Sequence, residues 1–312
     1  MVNENRYSVF SKKPLQCAVI LLFLSLIRFS NSYSQFGRLY VNVPREAHIF
    51  QLHYYNTHSN TWVDESIPVD ENKSYTSLAS LSYTKMMNYF GRSGGIGAVI
   101  PVSSLLSYNT GTDLITQRIS GLGDPSLMLD MNVYGGPSLT RDQMTKTPPT
   151  TYMSAHFVWG VPLGSYDDTK STNIGSNRFS YKFTLNQSFT TMKGKNWLDI
   201  YGSVRFSGDN KKYLGSNVLS QQPAYGLEVH YSQDVGNKWW LNAGGIYSGG
   251  GKIAVNGVEG KEQNSFKLGL AASFPTWEHG SAIVSYNHSV WKTDGSPDVN
   301  QLIIQLNYTL YP

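Results

Sequence analysis

The sequence predicts an all-β fold: an antiparallel transmembrane β-barrel of about twelve strands, of the outer-membrane type. Three observations predict it. Apolar and polar residues alternate with a period of two along segments of about 9–11 residues, the length a tilted strand needs to cross a bilayer. Charged residues make up 15% of the 312-residue chain while aromatics reach 13%, with 21 Tyr and 29 Gly; a soluble domain carries about 25% charge. The connections between segments alternate between long and short, as in barrels with long external loops and short periplasmic turns. Composition also excludes other classes. One Cys cannot build a disulfide scaffold, and the aromatics argue against disorder.

Residues 1–34 read as a secretory signal of a Gram-negative bacterium. Arg6, Lys12 and Lys13 precede an apolar run from Ala18 to Ile27, and Ser32-Tyr33-Ser34 supplies the small residues before a cut. Arg28 interrupts the pattern, so the cut is placed only to within several residues. Cys17 lies ahead of the apolar run, which excludes a lipoprotein. The segment holds four basic residues and one acid, so its removal lowers the net charge from +4 to +1. No basic footprint for nucleic acid remains. Residues 35–46 form an N-terminal extension or plug, and 47–312 form the barrel.

Strands follow in order. Weaker segments near 47–56, 75–86 and 94–102 come first. In 126–134, Leu127, Leu129, Met131 and Val133 share one face and Ser126, Met128, Asp130, Asn132 and Tyr134 the other, because side chains alternate along a strand. Met153, Ala155, Phe157 and Trp159 alternate with Ser154, His156 and Val158. Phe179, Tyr181, Phe183 and Leu185 alternate with Ser180, Lys182, Thr184 and Asn186. Leu198, Ile200, Val204 and Phe206 alternate with Asp199, Ser203 and Arg205. Tyr225, Leu227, Val229 and Tyr231 alternate with Gly226, Glu228 and His230. After a weaker segment at 239–248, Phe266, Leu268, Leu270, Ala272 and Phe274 alternate with Lys267, Gly269 and Ser273. A weaker segment at 281–290 precedes the last strand, Leu302 to Leu310.

The apolar face is almost free of charge, and the polar face holds mostly Ser, Thr, Asn and Gly. A soluble sandwich would carry dense Lys and Glu on its polar face, so a barrel with a polar interior fits better. Trp159, Trp197, Trp239, Trp240, Trp277, Trp291, Tyr308 and Tyr311 lie near strand ends, as an interface girdle would. Segment 135–150 departs from the pattern: it stands where a short turn is expected.

Chemical motifs are sparse. Ser248-Gly249-Gly250-Gly251-Lys252 is followed by Ile253, not Ser or Thr, so it is no phosphate loop. Gly94-Gly95-Ile96-Gly97 opens no helix. His48, His53 and His58 alternate faces and cannot share one metal. No catalytic residues, cofactor or metal are expected. The lumen-lining candidates are Asp130, His156, Lys182, Asp199, Arg205, Glu228, His230 and Lys267, since a charge facing lipid costs about 2–4 kcal/mol at the midplane. Of these, Lys182, Asp199, Arg205 and Glu228 could form an ion-pair network across neighbouring strands.

Three segments resemble an outer-membrane family labelled putative MetA-pathway of phenol degradation. They are Gly121-Leu122-Gly123-Asp124-Pro125, Val161-Pro162-Leu163-Gly164-Ser165-Tyr166-Asp167 and Asn173-Ile174-Gly175-Ser176-Asn177-Arg178. A later strand, Leu268-Gly269 to Pro275, also fits. Leu163 stands where the family has Thr. The motif positions are Gly121, Gly123, Asp124, Pro162, Gly164, Gly175, Asn177 and Arg178. The resemblance implies a transporter-like barrel associated with aromatic-compound degradation, and it supplies no catalytic residues.

The expected function is a porin-like channel of the outer membrane for small solutes, hydrophobic or aromatic ones included. Its partners would be the lipid bilayer, lipopolysaccharide, small-molecule solutes and the barrel-assembly machinery, with no nucleic acid. A structural or adhesive barrel, a barrel hydrolase and a soluble β-protein are the alternatives. Twelve strands fall between the filled lumen of eight and the open channel of sixteen. The pore is therefore narrow or plugged, by 35–46 or by the 103–123 loop.

Overall fold

The structure is a computed structural model that describes residues 36–39, 42–62, 71–110, 115–191 and 194–312. The signal segment lies outside the described residues. The elements are β1 (His48–Trp62), β2 (Glu71–Tyr89), β3 (Arg92–Thr110), β4 (Ile115–Leu122), β5 (Ser126–Tyr134), α1 (Arg141–Lys146), β6 (Tyr152–Gly160), β7 (Ser180–Thr191) and β8 (Asn196–Ser207). They continue as β9 (Asn210–Tyr213), β10 (Asn217–Gln221), β11 (Ala224–Gly236), β12 (Trp239–Gly250), β13 (Ile253–Val255), β14 (Val258–Glu259), β15 (Ser265–Pro275), β16 (Gly280–Lys292) and β17 (Asp298–Leu310).

Twelve strands close an antiparallel barrel in the order β1-β2-β3-β5-β6-β7-β8-β11-β12-β15-β16-β17. Closure joins β1 to β17, with His48 opposite Leu310 and Asn60 opposite Asp298. Closing the sheet leaves no unpaired edge for lipid to meet, which a spanning structure requires. Side chains sort as the period of two demands. Leu81, Leu129, Phe183, Leu185, Leu227, Leu268 and Leu270 point outward and are exposed, whereas Ser80, Ser82, Thr84, Asn186, Asn287 and Gln305 are buried. Among the described residues, buried polar and charged side chains outnumber buried apolar ones, the reverse of a soluble core.

At one end the connections are tight. The β2–β3 turn places Phe90 at φ 53° and Gly91 at φ 82°, the doubly positive turn that matches strand twist. At this end the expectation of a short turn at 135–150 meets a different structure. Residues 135–151 carry α1, whose Thr140 and Gln143 form a reciprocal capping box, and they pack under the barrel. Arg45 N–H donates to Leu139 O at 2.8 Å, Asn42 Nδ2 donates to Pro137 O at 3.0 Å, and the Arg141 guanidinium sits 4.6 Å from the Tyr311 ring.

At the long-loop end, β9, β10, β13 and β14 form a second, four-stranded sheet with its own core of Tyr213, Leu219 and Val255. Of the 103–123 segment, the described residues 103–110 and 115–122 pair as strands, and 111–114 lie outside the described residues. β3 continues to Thr110 and β4 pairs back along it, Val102 opposite Leu122, so this hairpin extends the wall. Two other placements also differ from expectation. A register shift between Asn132 and Tyr134 turns Tyr134 outward, where it is 65% exposed. Trp197 is buried and Trp240 lies under Arg38, so these two belong to the interior, while Trp159, Trp239, Trp277 and Trp291 are exposed.

Candidate functional site

The interior divides into a polar floor near the short-turn end and a cavity above it. The floor is built around Phe36-Gly37-Arg38-Leu39, which lies inside the barrel. Phe36 is buried with Ala271, Ile283 and Ile303, against Leu39, Tyr55 and Trp240. Arg38 reaches the opposite wall. Its backbone N–H donates to Asp199 Oδ2 at 2.9 Å, Nε to Ser232 Oγ at 2.7 Å, Nη1 to Asp234 Oδ1 at 2.5 Å and Nη2 to Lys195 O at 3.1 Å. Gly37 is needed for this fit. A Cβ there would stand 2.9 Å from Asn242 Nδ2 and 3.3 Å from His230 Cβ, tighter than side chains tolerate.

A polar belt continues the floor around the wall. Asp130 Oδ1 meets His156 Nδ1 at 2.6 Å, and His156 Nε2 meets Ser154 Oγ at 2.8 Å. Asn186 Nδ2 donates to Ser154 Oγ at 3.3 Å and to Ser188 Oγ at 3.0 Å. Ser188 Oγ in turn donates to Asp199, which already accepts from Arg38. His230 and Glu228 are buried beside this belt, Nε2 to Oε2 at 3.2 Å. Buried polar groups are costly unless hydrogen-bonded, and this chain satisfies most of them across β5, β6, β7 and β8.

The cavity above has a volume of about 430 Å³. Arg178, Lys182, Arg205 and Lys267 all line it, with Asp124 the only carboxylate among the described lining residues. Lys182 stands directly opposite Arg205. Asp199 is opposite Ser188, six positions farther along β7 and therefore roughly 20 Å away at ~3.3 Å per residue. The expected ion-pair network of Lys182, Asp199, Arg205 and Glu228 is thus divided: register sends Asp199 to the floor and sets two cations face to face above it.

The three motif segments converge on the cavity mouth. Asp124 Oδ1 accepts from Gly164 N–H at 2.9 Å, and Oδ2 accepts from Ser176 N–H at 2.7 Å and Ser176 Oγ at 2.5 Å. Gly175 N–H donates to Ser165 O at 2.8 Å. A Cβ on Gly175 would stand 2.6 Å from the Gly164 carbonyl carbon, so only glycine permits this approach. Gly121 packs against Ser165, and Gly123 N–H donates to Pro101 O at 2.8 Å. Pro162 is partly buried at the loop's start. Asn177 adopts φ 52° and donates to Asn210 Oδ1 at 2.9 Å. Arg178 Nη2 donates to Gln221 Oε1 at 2.6 Å, while its Nη1 has no partner. Burial, and next the charge of Arg205, pull Arg178 down to about 10. In the same loop, Thr169 donors and Lys170 hold the Asp167 carboxyl down at about 2.

Sequence reasoning named 35–46 as a possible plug but not Phe36, Gly37 or Arg38 within it, and it missed Ser188 and Ser232. So short a segment carries too little periodicity to say which residues hold it, and an inward Ser looks like any other until its register is known.

Residues 55–297 match the family described as "Putative MetA-pathway of phenol degradation". No curated protein matches. Among solved structures, the chain is similar to an outer membrane channel from Pseudomonas putida F1, with TM-score 0.75 and 16% identity over 87% of this chain and 98% of that one. It is also similar to the transport unit of the autotransporter AIDA-I from Escherichia coli, with TM-score 0.51 and 10% identity over 94% and 98%. At such identities the likeness is one of fold, that of an outer-membrane barrel.

Proposed function

The chain belongs to the family described as putative MetA-pathway of phenol degradation, and from that premise we propose that it is an outer-membrane channel for small solutes, hydrophobic and aromatic ones included. Residues 1–34 direct export and are cleaved. The bilayer and lipopolysaccharide surround the outward apolar face, and the barrel-assembly machinery inserts it. The observation that carries the reading is a solute-sized cavity standing above a floor held by one Arg-centred set of hydrogen bonds. Such a floor closes the lumen while it stays docked and opens it when Arg38 is released. A cavity of this volume falls in the usual range for small ligands, about 300–1,000 Å³.

Asp130, His156 and Ser154 give a hydrolase reading one specific observation, since base and hydroxyl are within hydrogen-bond reach. Two facts weigh against it. Ser154 does not line the cavity, and its oxygen already accepts from Asn186. The trio therefore reads as part of the belt.

Swelling of proteoliposomes tests the channel. The protein should admit arabinose faster than raffinose and show small unitary conductance in planar bilayers. Neither swelling in any small solute nor conductance would contradict it.

A further inference from the structure

Among the described residues, two ammonium groups inside the barrel lack the hydrogen-bonded partner that burial demands. Lys182 and Lys267 are each only 8% exposed, both line the cavity, and neither makes a hydrogen bond or ion pair to a described residue. Removing a charge from water is costly unless it is paired and hydrogen-bonded. Their surroundings do not relieve this. Lys182 faces Arg205 directly across the β7–β8 ladder, and like charges in that position repel. Arg178 adds a fourth cation with an unused Nη1. Of the nearby carboxylates, Asp124 is engaged at both oxygens by Gly164 and Ser176. Glu228 already meets His230 and is one acid acting on both lysines. Among the described residues, the cavity lining therefore holds an excess of positive charge over carboxylate.

The rest of the lining narrows the ligand. Ser126, Ser180, Ser203 and Ser265 line the cavity as neutral hydroxyls, able to share an anion's remaining acceptor sites. Tyr55, Leu78, Ile174 and Leu219 supply apolar surface elsewhere in the same space. A small inorganic anion would leave that surface wet. A ligand with a carboxylate at one end and a single ring or short apolar body at the other fits both parts.

We propose that this cavity is a binding site for small organic carboxylates with an apolar body, held by Lys182 and Lys267 with Arg178 and Arg205. The proposal deepens the channel reading and rests on it for the route by which the ligand arrives. A solute class follows: acids of single aromatic rings are selected over their neutral analogues.

Calorimetric titration of the full-length protein in detergent with benzoate, benzamide and benzylamine tests this. Benzoate should bind at least about 10-fold more tightly than benzamide, as expected where a carboxylate takes charge-assisted hydrogen bonds, and benzylamine should not bind. The double variant Lys182→Gln, Lys267→Gln should lose the preference, and Lys182→Arg should keep it. Benzamide binding as tightly as benzoate, or wild-type protein failing to bind benzoate, would overturn the proposal. Should the double variant fail the heat-modifiability check for a folded barrel, the wild-type comparison decides alone. Binding in detergent does not require conduction, so the two readings fail separately. Benzoate binding without passage removes the channel and leaves the site; passage without benzoate preference removes the site and leaves the channel.

Discussion

Arg38 and Asp199 are the two side chains on which the floor depends most. Asp199 is fully buried and is held by Ser188 and by the Arg38 backbone, so removing its charge leaves donors unpaired on both sides. Asp199→Ala is expected to destabilise the floor by about 1–3 kcal/mol, the usual effect of orphaned buried donors, read as faster hydrogen exchange at Arg38 than in the wild type. Ser154 gives the opposite expectation. Fixed between His156 and Asn186, it should resist fluorophosphonate labelling, and covalent labelling at Ser154 would revive the hydrolase reading. Inward charge was legible at this scale, because parity along a strand assigns Lys182, Arg205 and Glu228 to one face. Their pairing was not. Whether Lys182 meets Asp199 or Arg205 depends on register, which hairpin geometry fixes and which single-strand patterning does not carry.

The elements divide by how strongly their two faces differ. In β7, Tyr181, Phe183 and Leu185 are exposed and Lys182, Thr184 and Asn186 buried, so a slip of one residue would exchange every contact. This contrast made the strands readable in the sequence. The 135–151 connection lacked it: α1 is short and carries no buried residue, and the segment before it is held at Pro137 and Leu139 by residues 42–45, contacts that no local pattern announces. The mouth loop was legible as motifs but not as a structure. Asp124, Gly164 and Gly175 are far apart in sequence, and only the barrel brings them together. Asp124→Asn keeps one acceptor where Ser176 Oγ and N–H now meet a carboxylate. It should speed proteolysis within 161–179 several-fold while the strands stay resistant; unchanged cleavage would mean the loop is held by other contacts.

The whole molecule follows from one inversion, an apolar exterior and a polar interior. The low charge and high Tyr content arise because the outer face excludes charge and the inner face fills with hydroxyls and amides. Leu185 is 57% exposed near the middle of β7, so Leu185→Arg should cost about 2–4 kcal/mol in lipid and lower the urea midpoint of the barrel in liposomes. The central claim is that Phe36 to Leu39 close the lumen and that Arg38 holds them there. Planar-bilayer recording of the wild type beside Arg38→Ala tests it most directly. The variant should show larger or longer openings at unchanged barrel stability, since it frees the floor from Asp234 and Ser232. Identical conductance and open time in the two proteins would contradict it.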